Sequence, residues 1–170
     1  MTTHHISIAI IGGGAAGYFA AIEAKRNCPM ADITIFEKNP KMLAKVEITG
    51  GGRCNLTNSF RLVSDTKQAY PRGHKLMKRL FKRFDHHSAY EWFEREGVRL
   101  TTQDDECVFP VSQDSHSIIN CLTGLASKLG VKQKTRHCLT SLSKNEDGTL
   151  HLVFANDTEA DFNRVAITTG

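Results

Sequence analysis

The 170-residue sequence predicts an α/β fold built on a parallel sheet, and three observations predict it. Two short apolar runs, Ser7–Ile11 (SIAII) and Ile33–Phe36 (ITIF), read as strands buried on both faces. Between them, Ala15–Asn27 (AAGYFAAIEAKRN) is alanine-rich, becomes charged at its end and stops before Cys28-Pro29, as a helix does. The glycine-rich run Gly12–Gly17 (GGGAAG) joins the first strand to that helix. Strand, helix and strand in this order form a right-handed crossover unit.

The bulk properties fit one domain spanning residues 1–170, with enough chain for a core. Hydrophobic residues make up 40% and charged residues 24%, the balance of an ordinary soluble protein. The net charge of +4 suits an anionic ligand and gives no argument for nucleic acid. Five cysteines (Cys28, Cys54, Cys107, Cys121 and Cys138) are irregularly spaced with no Cys-x-x-Cys. Neither a disulfide framework nor a zinc site is expected, and a reducing cytoplasm is the expected location. The start, MTTHH, lacks the basic region of a signal peptide. Ile6–Ile22 carries no formal charge, but its 17 residues include four glycines. A spanning helix needs roughly 20 apolar residues, so no membrane span is expected.

Further along, residues 38–73 are rich in loop formers, and loops of that length in a domain are commonly functional. His74–Phe84 places Leu76, Leu80, Phe81 and Phe84 on one helical face with Lys75, Lys78, Arg79, Lys82 and Arg83 elsewhere. A second helix is expected over Ser88–Glu96, ending at Gly97. Val98–Thr101 and Cys107–Phe109 read as a small hairpin, and Ser115–Leu129 as a helix stopped by Gly130. Val131–Leu142 and Thr149–Phe154 read as strands across the turn Asn145–Gly148, and Arg164–Thr168 as the last strand.

Gly12-Gly13-Gly14-Ala15-Ala16-Gly17 matches G-x-G-x-x-G, a weak pattern alone. Its context strengthens it: a strand before, a helix after, and Glu37 at the end of the next strand, 20 residues past Gly17. Gly12 permits a tight turn, Gly14 lets the backbone approach a pyrophosphate, and Gly17 lets helix pack on sheet. The unpaired N–H groups at the helix start face phosphate oxygens. Glu37 accepts from a ribose and repels a 2′-phosphate, which argues against NADP there, although Lys38 beside it softens that repulsion. A glycine-rich turn with no nucleotide is the competing reading.

The second motif is Ile48–Asn58, ITGGGRCNLTN. Gly50-Gly51-Gly52 offers positive φ and close backbone approach, and its amides are candidates for an anion-binding nest. Arg53 supplies a fixed charge or a plane to stack on a ring, and Asn55 supplies a donor and an acceptor. Cys54 is read first as a small buried residue, because no His or second Cys is placed to activate it as a nucleophile.

With Ile8–Gly17, Ile35–Pro40 (IFEKNP) and Thr49–Asn58 (TGGGRCNLTN), the chain resembles the BaiN-like (YhiN-like) flavoproteins, FAD-dependent oxidoreductases linked to NAD(P)H. Val108–Ser112 (VFPVS) and Arg164–Gly170 (RVAITTG) resemble two further family segments, so the likeness runs along the whole chain. It departs at Tyr18-Phe19, bulky where small or aliphatic residues are common, and at Thr168-Thr169 in place of Ala-Thr.

The resemblance implies a Rossmann-like FAD-binding fold of the two-dinucleotide-binding-domain type, with a small antiparallel β-meander. It implies cofactor binding by Gly12, Gly13, Gly14, Ala15, Ala16, Gly17, Glu37, Lys38, Gly51, Gly52, Arg53, Cys54, Asn55, Thr169 and Gly170. The GGGRCN loop would lie toward the flavin, with Arg53 stabilising negative charge there. No catalytic acid or base is assigned, and substrate and electron acceptor stay open.

Family members are about twice as long, beyond the 100–200 residues of one domain. The chain is therefore expected to be an N-terminal portion, with a second lobe of the same enzyme as its missing partner. A non-catalytic FAD- or NAD-binding module and an NAD-dependent dehydrogenase domain are the alternatives.

Three other features carry simpler readings. The basic helix His74–Phe84 is expected to be the solvated face of a core helix rather than a nucleic-acid site, and neither nucleic acid nor membrane is an expected partner. His74, His86 and His87 lack a completing ligand pattern, so no metal is expected. Trp92 and Phe93 are expected in the core, with an active-site wall as the alternative.

Overall fold

The computed structural model describes residues 5–170. Residues 1–4, on which most of the signal-peptide reading rests, lie outside the described residues. In chain order the elements begin β1 (Ser7–Ile11), α1 (Ala15–Asn27), β2 (Asp32–Phe36), α2 (Ala44–Ile48) and a 3-10 turn (Thr49–Gly52). There follow β3 (Thr57–Asn58), α3 (Thr66–Ala69), α4 (His74–Phe81), α5 (His86–Arg95), β4 (Leu100–Thr102), β5 (Cys107–Pro110) and α6 (His116–Lys128). The chain closes with β6 (Lys132–Lys134), β7 (Leu139–Lys144), β8 (Leu150–Phe154), β9 (Glu159–Phe162) and β10 (Arg164–Ile167).

The chain divides into two compact units, one of residues up to Lys45 together with Leu122–Gly170, the other of Val46–Cys121. In the first, a parallel sheet runs in the order β10-β1-β2-β6. A separate antiparallel meander runs β7-β8-β9. This is the expected α/β Rossmann-like FAD-binding fold with its meander.

Strand alternation explains how the parallel sheet is covered. Ala9, Ile11, Phe36 and Val165 face Leu152, Phe154 and Phe162 of the meander, and Phe36 stacks on Phe154 at 4.6 Å between ring centroids. α1 lies against β1 and β2 and buries Gly17, Tyr18, Ala21 and Ile22, a face spaced by three and four residues. Tyr18 fits because its hydroxyl donates to Gln133 Oε1 on β6 at 2.5 Å. Burial pushes its phenol up to about 12, so it remains a neutral donor.

One expected strand divides. Val131–Leu142 is not continuous: β6 pairs in parallel with β2, whereas β7 pairs antiparallel with β8. The chain turns between them at Arg136, which takes a left-handed φ of 59°. Arg136 N–H donates to Asn39 O and His137 N–H to Glu37 O, which fixes the break beside the end of β2. No glycine or proline marks this turn. β9, unassigned in the sequence reading, completes the meander on β8.

In the second unit, β3-β5-β4 forms an antiparallel sheet that includes the expected hairpin. Trp92 and Phe93 on α5 are buried, as expected of core residues. α4 departs from expectation. Leu76, Leu80 and Phe84 are 54%, 49% and 39% exposed, so α4 does not bury its apolar stripe as a core helix would. Phe81 packs on Phe60 and Tyr70, which accounts for only one edge of the stripe.

Phe154 is fully buried between the meander and the parallel sheet. Phe154→Ala is expected to lower unfolding stability by about 3–5 kcal/mol in urea titration followed by circular dichroism.

Candidate functional site

The C-terminal edge of the parallel sheet carries the first set of predicted residues, where ligands of such sheets bind. Gly12 turns the chain out of β1 with φ of 118°, a conformation that suits glycine. A Cβ on Gly17 would lie 1.9 Å from Gly12 O, so only glycine lets α1 come this close to the turn. Gly13 is equally closed: its Cβ would meet Met42 Sδ at 2.3 Å.

Gly14 is different. Its φ is −88°, ordinary for any residue, and an added Cβ would meet nothing within 4 Å. Nothing inside the protein requires glycine there. Gly14 is also the N-cap of α1 and offers no side chain to cap it, while Ala15 and Ala16 are exposed. The first amides of the helix thus face open space with the positive end of the helix dipole behind them. These residues fit a phosphate-bearing cofactor: the space a Cβ would fill is the space a pyrophosphate needs.

Glu37 ends β2 in a fixed position. Its Oε2 accepts from Gly13 N–H at 2.8 Å, and its Oε1 accepts from Asn39 N–H and Nδ2 at 2.9 and 2.8 Å. A carboxylate has about four acceptor positions, so three protein donors leave room for about one ligand hydroxyl. The amide of Gly13 is committed to Glu37, so the open amides are those further into the helix. Lys38, beside Glu37, is exposed.

Thr168 follows β10 and locks the turn from its other side. Its N–H donates to Ile11 O at 2.8 Å, and its hydroxyl lies 3.0 Å from Ile11 O and 3.2 Å from Gly12 O. The departure at Thr168 therefore adds a tether to the turn. Thr169 and Gly170 continue exposed along the same edge, with Lys45 Nζ 3.4 Å from where a Gly170 Cβ would stand. Met42, Asn39 and Thr168 went unassigned from sequence. Asn39 sits in the quoted IFEKNP run and Thr168 in RVAITTG, but only coordinates reveal their contacts.

The second motif lies in the other unit. Gly50, Gly51 and Gly52 have φ of 59°, 67° and 85°, and Cys54 also adopts a positive φ of 63°. A Cβ on Gly50 would approach Asn55 N at 2.7 Å and Phe109 Cε1 at 2.9 Å, so the loop folds back on itself. Cys54 N–H donates to Thr49 O and Arg53 N–H to Gly50 O. Those two amides are spent inside the loop and cannot serve the expected anion nest; Gly51, by contrast, faces open space.

Arg53 is the best-anchored residue of the motif. Its guanidinium lies 4.2 Å over the Phe109 ring, Nε donates to Gly50 O, and Nη1 donates to Gln113 Oε1 at 3.2 Å, with Gln103 Oε1 at 3.5 Å. Asn55 is exposed and donates to Cys107 Sγ. Phe109 belongs to the quoted VFPVS segment, but its ring contact with Arg53 could not be read from sequence.

Burial pushes the Cys54 thiol up to about 11, so it is neutral at physiological pH. This favours the small-buried-residue reading of Cys54. Nearby, Glu106 is buried; its acceptance of the Ser59 hydroxyl and pairing with Arg61 hold its carboxyl below the usual range.

Residues 6–170 match the family described as HI0933-like protein Rossmann domain. The 3-dehydro-bile acid delta(4,6)-reductase of Clostridium scindens is 32% identical over 115 residues, which are 68% of this chain and 27% of that protein. The fold is similar to that of 3-ketosteroid-delta4-(5alpha)-dehydrogenase from Rhodococcus jostii RHA1. There the TM-score is 0.68 and the identity 16%, over 100% of this chain and 47% of the other. It is also similar to Thermovibrio ammonificans THI4, with TM-score 0.60 and identity 12%, over 98% of this chain and 58% of the other. The chain thus spans about a quarter of the curated relative and about half of these two structures.

A neutral Cys54 has a measurable signature. Its folded value lies above the ordinary 9.0, so the stability it contributes is full below 9.0 and is lost as pH rises toward about 11. Cys54→Ala is expected to flatten that alkaline decline in urea titrations. A disulfide reagent at mildly alkaline pH should modify Cys54 only after denaturant is added.

Proposed function

We propose, from the premise that this chain belongs to the HI0933-like family of Rossmann-type FAD-binding domains, that it binds FAD and forms the cofactor-holding part of a flavin oxidoreductase. The observation that carries this reading is Gly14, a glycine that neither φ nor packing demands, at the open start of α1. Bound FAD would supply hydride or electron transfer through its flavin ring.

The chain's own residues bind and orient. Amides of Gly14, Ala15 and Ala16 face the pyrophosphate, and the α1 dipole favours its negative charge. Glu37, already steadied by Gly13 and Asn39, accepts from the adenosine ribose with its remaining capacity. Its charge disfavours a 2′-phosphate on that ribose. Thr169 and Gly170 line the same sheet edge. Flavin-side contacts from the Gly51–Asn55 loop would follow from the family resemblance; within its own unit, Arg53 is held rigid by Phe109, Gly50 and Gln113 as a fixed positive charge.

The finer reading is membership among the BaiN-like (YhiN-like) oxidoreductases, supported by the GGGRCNLTN run. NAD(P)H is then the electron donor, and the acceptor is a small organic molecule, the class that the bile acid reductase acts on. A second lobe of the same enzyme would complete the active site. A cytoplasmic location is supported by the irregular spacing of the five cysteines and the lack of a Cys-x-x-Cys. The same cradle would also serve a module that binds FAD or NAD without turnover.

The test is a visible absorbance titration of the purified chain with FAD, repeated with NAD. Saturable perturbation of the FAD spectrum is expected. Gly14→Ala should weaken it at least about tenfold while the fold is retained with about 1 kcal/mol lost at the α1 N-cap, because the added Cβ meets nothing within 4 Å in the protein. Wild-type FAD affinity in that variant would remove the cradle from the site. Binding of NAD without FAD would assign the chain to the dehydrogenase alternative.

A further inference from the structure

The α4 segment combines two features that no cofactor role uses. Projected at 100° per residue, Leu76, Met77, Leu80, Phe81 and Phe84 share one side, and Lys75, Lys78, Arg79, Lys82 and Arg83 share the other. The helical hydrogen bond from Phe84 N–H to Leu80 O, 3.0 Å, carries this periodicity past Phe81. Only part of the apolar side is used: Phe81 packs on Phe60 and Tyr70, while Leu76 and Leu80 remain about half exposed.

Charge decides what fits that edge. Arg72, Lys75, Lys78, Arg79, Lys82 and Arg83 place six cations in twelve residues without an Asp or Glu among them. The whole chain is only +4, so the rest of it is net acidic by two. A second copy docking symmetrically would bring two such cationic faces together, which is unfavourable. Double-stranded nucleic acid would use the cations and leave the leucines in water. A bilayer with anionic headgroups takes both: the leucines enter the acyl boundary while the cations stay among the phosphates.

We propose that the exposed Leu76–Leu80 edge of α4, with its flanking Lys and Arg residues, adsorbs this protein to anionic lipid surfaces. The contact is interfacial. Among the described residues no helix is long and apolar enough to cross a membrane, and the expectation that membranes are not partners rested on that spanning criterion. Two half-exposed leucines give a weak apolar anchor, so binding needs both signals and weakens with salt.

The test is co-sedimentation of the full chain with vesicles of phosphatidylcholine alone and of phosphatidylcholine with phosphatidylglycerol. Binding is expected only to the phosphatidylglycerol vesicles and is reduced by raised salt. The double variant Leu76→Gln/Leu80→Gln should bind at least about tenfold more weakly, with an unchanged circular dichroism spectrum, because both side chains are half exposed. Lys75→Gln/Lys78→Gln/Lys82→Gln should abolish the preference for anionic vesicles. Absence of binding to either vesicle, or binding unchanged in the leucine variant, overturns the proposal. So does concentration-dependent dimerisation in sedimentation equilibrium that the leucine variant abolishes, which would give the edge to a second copy. Capture by a DNA duplex that is insensitive to the leucine variant, without vesicle binding, would give the cations to nucleic acid.

Discussion

The close approach of α1 to the strand it follows is the constraint on which the cofactor end of the first unit depends. Gly17 sits where a single added carbon would lie 1.9 Å from the carbonyl of Gly12. That contact sets the angle at which the helix leaves the turn, and hence where its first amides point. Thr168 holds the same turn from β10, and Glu37 holds Gly13 from β2, so three neighbouring strands of the sheet converge on one short loop. Of the glycines in that turn, Gly14 is then the one that neither φ nor packing requires. A turn so over-determined on the inside and open at the first amides of α1 suits an anion.

The second unit builds its conspicuous loop by a different means. Left-handed conformations at Gly50, Gly51, Gly52 and Cys54 curl the chain until its amides meet its own carbonyls. Much of the loop's hydrogen-bonding capacity is thereby spent on shape. Charge is what remains to be offered, and Arg53 carries it on a base of aromatic ring, carbonyl and two glutamines. A guanidinium fixed on several sides loses little further freedom when a ligand arrives, which is what makes a cation effective beside developing negative charge.

Several parts of this molecule were legible in the sequence because each is governed by neighbours in the chain. The β1-α1-β2 unit follows from periodicity and punctuation, and Glu37 from its distance to Gly17. Trp92 and Phe93 read as core and are buried. Other parts misled for a physical reason. Val131–Leu142 has the composition of one strand, but Arg136 takes a left-handed conformation that no glycine announces, and the halves join different sheets. α4 has the pattern of a core helix, yet a pattern shows only that a face is apolar and not that another element covers it. β9 and β3 are short and polar, and pairing with longer strands makes them.

By itself, then, the sequence determined the class of fold, the glycine turn between β1 and α1 and the acidic residue that ends β2. These depend on backbone conformation and spacing along the chain. Only the tertiary structure decided which glycines of that turn φ and packing require, because that depends on what stands opposite each Cα. It also decided that Cys54 is a neutral buried thiol, that Arg53 is anchored by Phe109 and Gln113, and that Thr168 is a tether. Each of these is a contact between residues distant in sequence, and such contacts leave no periodic trace in the chain.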